Sequence, residues 1–291
     1  MPSACDRLAL GVIAVFLTAG VLARAPLHTL APLIGLVFAI LAVASLRSRA
    51  GRVLHDLSPV PWIVATFEAI GPVIDVVSPR KWDAFFSAID DVLFARIATA
   101  WTGALGRPTW LTDVASGAYA LFYAMPVIVG LTLYVRGRRR AYDEFVFSVA
   151  LAFFIPFLGY LAFPATGPRV PLELEDAVLG GGALSRAVRV FLHVAEKNLW
   201  DAFPSGHTAV TVVVAVRAWA LLPRWRVPFV AICALIVFAT VYLSFHYVVD
   251  VVVGASIATG VLALGRRWSP GAEPAVHVQL GARHAGGVGA R

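Results

Sequence analysis

Apolar runs of about 20 residues recur along the chain and alternate with short polar segments. A helix of about 20 residues is long enough to cross the hydrocarbon core of a bilayer. We expect eight spans, at 8–23, 27–46, 59–77, 110–135, 144–163, 204–222, 227–245 and 247–264. The pattern predicts an all-α fold, a polytopic membrane helical bundle with a six-span core and an N-terminal two-helix hairpin.

The span at 59–77 is the least regular of the eight because Glu68 and Asp75 lie within it. Arginine clusters decide whether it crosses. If it does, all four clusters share one side, as the positive-inside tendency requires; they lie at 47–52, 136–140, 224–226 and 266–267. We therefore expect this segment to cross and both termini to be cytoplasmic, and we assign Glu68 and Asp75 no role.

Three units follow from this topology. Residues 1–52 form the N-terminal hairpin, residues 53–267 the membrane core, and residues 268–291 a Gly-, Ala- and Arg-rich cytoplasmic tail that we expect to be disordered. Within the core, residues 80–106 alternate apolar and acidic faces at helical spacing, which predicts a helix in the outer interface with Asp83, Asp90, Asp91 and Arg96 on its polar side. A long, charged outer loop spans 164–201.

The composition supports a membrane protein and excludes other classes. The chain of 291 residues is 59% hydrophobic and only 14% charged, too little polar surface for a soluble protein of this size. The net charge of +7 resides mainly in the short clusters, which indicate topology more than nucleic-acid binding. Cys5 and Cys233 suggest neither a disulfide framework nor a metal site. The first apolar run has no cleavage site behind it and is interpreted as an anchor.

Two polar motifs stand where apolar runs begin, and the span count puts both at the outer face. The first is Pro-Ser-Gly-His at 204–207. We expect all four residues in the first turn of a helix, where free N–H groups and the helix dipole attract an anion. In the second motif, His246 and Asp250 are four residues apart and would share a helix face. Together the motifs indicate phosphoryl chemistry on a lipid.

At these residues the chain resembles the type 2 phosphatidic acid phosphatase superfamily over about 59–267. The stretch 204–207 is similar to its second signature, and His246-x-x-x-Asp250 to its third. Two signature cations are replaced: Ala162 stands where the first signature has lysine, and Thr240 where the third has arginine. The Pro-rich segment 163–169 and the residues flanking both histidines are closer to the inositol phosphorylceramide synthase branch. That branch transfers a phospho-headgroup between lipids, so the resemblance favours transfer over hydrolysis.

We assign the nucleophile to His246, which would form a phosphohistidine, with Asp250 holding its tautomer. His207 would be the general acid that protonates the leaving oxygen. Substrate phosphate would be bound by Ser205, Gly206 and Arg169. Each residue has a simpler interpretation as well: interfacial histidines, an ordinary helix cap for Ser205, and a solvated loop arginine for Arg169.

Other residues and classes of function stay open at this point. Arg186, Arg189 and Lys197 could replace the missing cations, and Asp201 is interpreted as a helix cap. No metal or other cofactor is expected, because His207, His246 and Asp250 lack a further ligand and the superfamily works without metal. The expected partners are a membrane lipid substrate, with a ceramide or diacylglycerol as a possible acceptor, and no nucleic acid. The expected location is a bacterial inner membrane with a periplasmic site. The alternative is a transporter or lipid flippase with a His/Asp relay.

Overall fold

This computed structural model describes residues 1–94, 97–171 and 174–267, and most of these residues are helical. The chain forms 13 α-helices there and no strand. They are α1 Ala4–Leu22, α2 Leu27–Ser45, α3 Arg49–Leu57, α4 Pro59–Val77, α5 Asp83–Leu93, α6 Ile97–Leu105, α7 Thr109–Val135, α8 Arg139–Ala162, α9 Glu175–Leu179, α10 Ala183–Ala195, α11 Gly206–Leu221, α12 Arg226–Tyr242 and α13 Val248–Arg267. The predicted all-α bundle is confirmed; the predicted tail at 268–291 lies outside the described residues.

Seven of the described helices are long and apolar enough to cross a membrane: α1, α2, α4, α7, α8, α12 and α13. The doubtful segment at 59–77 is one of them, with the predicted bounds. The eighth predicted span, α11, has only 16 residues and is about 24 Å long. It packs against α8, α12 and α13, and Ala209, Val210 and Val213 on it are fully buried. This short helix therefore forms the centre of the bundle.

The N-terminal helices are part of the main bundle. Helix α1 packs on α2, α4 and α8, and α2 packs on α4 as well. One apolar cluster joins Ile13 and Phe16 of α1 with Ile70 of α4 and Phe157 of α8. Asp6 is buried and pairs with His55 across a distance of 2.6 Å. The connection predicted as a basic loop contains helix α3, which Ser48 caps through the Gly51 N–H.

The segment between α8 and α11, predicted as a loop, is largely folded. Helix α10 packs on α7, where the Asp113 carboxylate accepts hydrogen bonds from the Gly182 and Ser185 N–H groups at 2.8 and 3.0 Å. Farther on, the Asn198 side chain donates to the Phe67 carbonyl of α4 at 3.1 Å. These bonds fix the segment to two helices of the bundle. It covers the end that holds both motifs, which we call the motif end.

The predicted amphipathic helix at 80–106 forms two helices, α5 and α6. Its apolar face is largely exposed at Phe85, Val92 and Leu93, as an interfacial helix requires. The polar side differs from the prediction, because Asp90 is buried and Asp83 is half-buried. Both carboxylates turn towards the motif end and accept backbone hydrogen bonds there. Arg96 lies outside the described residues.

Candidate active site

His246 lies at the junction of α12 and α13, and its surroundings define its tautomer. The ring is 1% exposed. Its Nδ1 is 2.9 Å from the Ala202 carbonyl oxygen, which can only accept a hydrogen bond. Nδ1 therefore carries the proton, and Nε2 keeps its lone pair. Burial and the positive charges of His207 and Arg169 hold the pKa of His246 well below its ordinary value. His246 is thus a neutral imidazole whose Nε2 keeps its lone pair.

His207 faces this lone pair. Its Nδ1 lies 3.4 Å from His246 Nε2, and its Nε2 lies 3.6 Å from Glu196 Oε1. The rings of Tyr119 and Phe122 pack on the imidazole with centroid distances of 4.6 and 4.2 Å. Burial alone would raise the pKa of Glu196, but its pair with His207 and the charge of Arg169 hold that pKa below its usual range. Glu196 and His207 therefore form a buried pair beside His246.

The first motif enters its helix later than predicted. Helix α11 begins at Gly206, with Ser205 as its N-cap: the Ser205 hydroxyl accepts a hydrogen bond from Thr208 N–H at 3.2 Å. Pro204 lies before the cap, in a turn, so the prediction that it occupies the first helical turn is wrong. Gly206 packs closely, since a Cβ there would stand 2.6 Å from the Tyr160 hydroxyl. The glycine lets α11 approach α8 beside His207.

The second motif is also shifted. Helix α13 begins at Val248, so His246 precedes it and does not share a helix face with Asp250, contrary to prediction. The two side chains still meet, with Asp250 Oδ2 3.5 Å from His246 Nδ1. The same oxygen accepts a hydrogen bond from Tyr247 N–H at 2.8 Å. The nearer partner of His246 Nδ1 is the Ala202 carbonyl. Because this is a backbone group, the identity of residue 202 does not reveal the contact.

Arg169 lies beside the histidines and forms a short ion pair with Asp201. Asp201 is thus the partner of Arg169 and not a helix cap. Burial disfavours the charged guanidinium, but the carboxylates of Asp201 and Glu196 outweigh it and raise the pKa of Arg169. Its Nε is buried and has no hydrogen-bond partner among the described residues. A donor is therefore available for an anionic ligand.

The positions of the two missing signature cations hold no charge. Thr240 is buried, and its carbonyl accepts hydrogen bonds from the Phe245 and His246 N–H groups at 3.0 and 3.1 Å. Of the three suggested replacement cations, Arg189 lines the same cavity as Arg169, whereas Arg186 and Lys197 are exposed. Arg189 also pairs with Glu175 and Asp176.

Two carboxylates that sequence reasoning did not assign to the site hold its backbone. Asp90 accepts hydrogen bonds from the Val248 and Val249 N–H groups at 2.7 and 2.9 Å, which caps the start of α13. Asp83 accepts from the Thr166 and Gly167 N–H groups at 3.0 and 2.9 Å. Gly167 has a φ of 78° and lies against the Phe245 carbonyl, a conformation and a contact that favour glycine. Helix α5 therefore holds the backbone near Arg169 and the backbone near His246 in place.

Two cavities meet at Glu196. One, of about 360 Å³, has Arg169, Arg189 and His193 in its lining together with apolar residues, and we call it the polar cavity. The other, of about 140 Å³, is almost entirely apolar and reaches His207. The first has the chemistry of a site for a charged headgroup, and the second that of a site for hydrocarbon. Within the described residues, no group of three or more His, Cys, Asp or Glu side chains is arranged to hold a metal ion.

Comparison with known proteins gives one family match and several relatives. The family model of the PAP2 superfamily matches residues 84–264, more than half of the chain. Similar curated proteins include a PA-phosphatase related-family protein of Dictyostelium discoideum, 32% identical over 130 residues. A phosphoinositol dihydroceramide synthase of Bacteroides thetaiotaomicron is 31% identical over 163 residues, and an inositol phosphorylceramide synthase of Candida albicans is 23% identical over 207 residues.

These alignments are partial. They cover 43%, 51% and 63% of this chain, and 24%, 53% and 43% of the respective relatives. The chain therefore spans about half or less of the length of the curated relatives it matches. No solved structure gives a significant match. The resemblance inferred from the two motifs, including its synthase-like character, is confirmed.

Proposed function

The chain belongs to the PAP2 superfamily, and from that premise we propose that it is a lipid phosphotransferase that works through His246. Its apolar helices and its family make it an integral membrane protein. The observation that carries the proposal is the pair of facing histidines: His246 Nε2, which keeps its lone pair, lies 3.4 Å from His207 Nδ1. A nucleophile and a proton donor are thus adjacent, beside a buried arginine.

The proposed reaction has two steps. His246 Nε2 attacks phosphorus, the bond from phosphorus to the leaving oxygen breaks, and His207 gives that oxygen its proton. The phospho-headgroup is then bonded to His246. An acceptor hydroxyl attacks phosphorus, gives its proton to His207, and the bond from phosphorus to nitrogen breaks. Arg169 neutralises charge on the equatorial oxygens in both steps, with the Gly206 and Ser205 region at the start of α11 as the second anion-binding element.

Transfer to a lipid is favoured over hydrolysis by three features. Ala162 and Thr240 replace the signature cations of the phosphatases. Two relatives are named as synthases of phosphoinositol-bearing ceramides. The polar cavity also mixes cations with the carboxylates Glu175 and Glu196, which suits a headgroup that has hydroxyls as well as phosphate. We propose a phosphoinositol-type donor and a ceramide or diacylglycerol acceptor, with hydrolysis as the side reaction.

The proposed placement follows the charge pattern. With eight crossings the arginine clusters are cytoplasmic and the motif end faces the periplasm of a bacterial inner membrane. The six-span core at 53–267 would carry the chemistry and the hairpin at 1–52 would be an addition to it. A transporter function has less support, because the titratable groups gather at one end of the bundle.

Product analysis tests this function. Purified protein in detergent would be given phosphatidylinositol with and without ceramide, or with a diacylglycerol whose acyl chains differ in length from those of the donor, beside a His246→Ala variant. We expect a phosphoinositol-bearing acceptor product from the wild type and none from the variant. Release of inositol phosphate and diacylglycerol without acceptor product would mean that the protein hydrolyses its donor instead of transferring the headgroup. Undiminished turnover in His246→Ala would exclude the proposed nucleophile.

A further inference from the structure

The apolar cavity beside His207 is a groove built from three membrane helices. Its walls include Ile63 and Phe67 of α4, Val127 of α7, and Val149 and Phe153 of α8. Helix α4 lies outside the region that the PAP2 family model matches, 84–264. One wall of the groove therefore comes from a part of the chain to which the family match assigns nothing.

The groove has its polar groups at one end. Tyr160 meets Gly206 there, and Tyr123 donates a short hydrogen bond to Glu196. His207 and Asp201 complete this end. From this polar end, side chains of α8 line the groove as far as Val149, at its other end. The polar end is the place where the two histidines lie.

The groove is long and open on one side, as a site for part of a hydrocarbon chain would be. Eleven residues separate Val149 from Tyr160, which corresponds to about 16 Å along the helix axis. One leaflet of a bilayer has a hydrocarbon thickness of about 15 Å. Val60 and Val64 line the groove and are 48% and 55% exposed. A lipid chain could therefore enter from the side of α4 without leaving the hydrocarbon layer.

The charge of the groove selects the kind of lipid. Among the described residues, its lining includes the carboxylates Glu196 and Asp201 and no arginine or lysine, whereas the polar cavity has Arg169 and Arg189. An anionic headgroup therefore finds no arginine or lysine partner in the groove, but a neutral hydroxyl can donate to a carboxylate or to His207. The phosphorylated donor therefore suits the polar cavity, and a neutral lipid alcohol suits the groove.

We propose that the groove between α4, α7 and α8 binds one hydrocarbon chain of the neutral acceptor lipid and presents its hydroxyl to His207. This inference rests on the proposed phosphotransferase function, because the acceptor is defined by that reaction. The choice of acceptor lipid then depends on α4 as well as on the helices within the matched region 84–264. Donor and acceptor approach the histidines through separate cavities that meet at Glu196.

A bulky substitution inside the groove tests the proposal. Val127→Trp fills the groove, and Ile128→Trp is the matched control, because Ile128 is the next residue and is 49% exposed. Transfer would be measured with a long-chain and a short-chain diacylglycerol. We expect the ratio of kcat/KM for the long over the short acceptor to fall about tenfold or more in Val127→Trp and to stay at the wild-type value in Ile128→Trp. Equal ratios in the two variants would overturn the proposal.

Photo-crosslinking is a second test. It uses only the wild-type protein and does not depend on turnover. Wild-type protein would be irradiated with a long-chain diacylglycerol that carries a diazirine in its chain, and labelled peptides would be mapped. We expect labels within 60–67, 122–127 and 149–160. Labels confined to other lipid-facing helices would refute the groove. If the groove is labelled but no acceptor is ever phosphorylated, the proposed reaction fails while the lipid site stands.

Discussion

Replacement of Asp90 is the sharpest test of how the fold holds the nucleophile. The Asp90 carboxylate accepts hydrogen bonds from the Val248 and Val249 N–H groups at 2.7 and 2.9 Å. Asp90 and Val248 are 158 residues apart in the sequence. Asp90 is 9% exposed. In Asp90→Ala two N–H groups at the start of α13 lose their partner in a buried place.

The expected cost follows from these two bonds. A hydrogen bond to a charged group contributes about 1.5–3 kcal/mol, and the loss of a helix cap costs about 1 kcal/mol. Because one carboxylate makes both bonds, we expect Asp90→Ala to lower the free energy of unfolding by about 2–4 kcal/mol. Asp90→Asn keeps an acceptor without the charge, and we expect about half that loss. A displacement of about 1 Å at His246 would lower kcat about a hundredfold.

The assay is denaturant unfolding in detergent, followed by tryptophan fluorescence, together with the transfer assay. Asp75→Ala is the control, since it removes an exposed carboxylate from the same membrane half of the proposed topology. The reasoning would be refuted if Asp90→Ala and Asp75→Ala had the same unfolding midpoint. An Asp90→Ala protein that is less stable but fully active would show that α13 does not need this cap to position His246.

Three further predictions concern the site itself. Glu196→Gln should lower single-turnover transfer about a hundredfold, because the charged partner that lies 3.6 Å from His207 Nε2 and orients the imidazole is lost; an unchanged rate would contradict this role. The pKa of His246 lies well below 6.5 because of burial and the neighbouring positive charges, so the nucleophile stays neutral and wild-type kcat/KM should not fall until the pH is well below 6.5. Removing a positive charge favours protonation, so Arg169→Gln should move this acid limb to higher pH, whereas Arg169→Lys should leave it in place; a limb that does not move in Arg169→Gln would exclude the influence of Arg169. Gly206→Ala should destabilise the protein by about 1–3 kcal/mol in thermal or denaturant unfolding, since its Cβ would lie 2.6 Å from the Tyr160 hydroxyl. Adding Tyr160→Phe should recover part of that loss; if the effects of the two substitutions are simply additive, the clash is not the cause.

Much of the architecture could be predicted from the sequence because membrane spans are encoded locally. The length of apolar runs and the arginine clusters are enough to place α4 correctly despite Glu68 and Asp75. The spacing of the two histidine motifs also predicts that they share one end of the bundle. In the structure the two imidazoles indeed lie 3.4 Å apart at their nearest nitrogens.

The supporting residues could not be predicted in the same way. Asp83 and Asp90 look like the solvated face of an amphipathic helix, and Glu196 looks like an ordinary loop residue. Their inward contacts depend on packing between segments far apart in the chain. The tautomer of His246 depends on the Ala202 carbonyl, and every residue has a carbonyl. The start of α13 is shifted because Thr240 and Asp90 accept the N–H groups around His246.

Detection of a covalent intermediate tests the central claim most directly. The protein would be mixed with phosphatidylinositol labelled in its phosphate, quenched, and analysed for label on the polypeptide with and without acceptor lipid. We predict an acid-labile, alkali-stable label on His246 that is absent in His246→Ala and disappears when the acceptor is added. Transfer without any protein-bound label, or a label that persists in His246→Ala, would contradict the account.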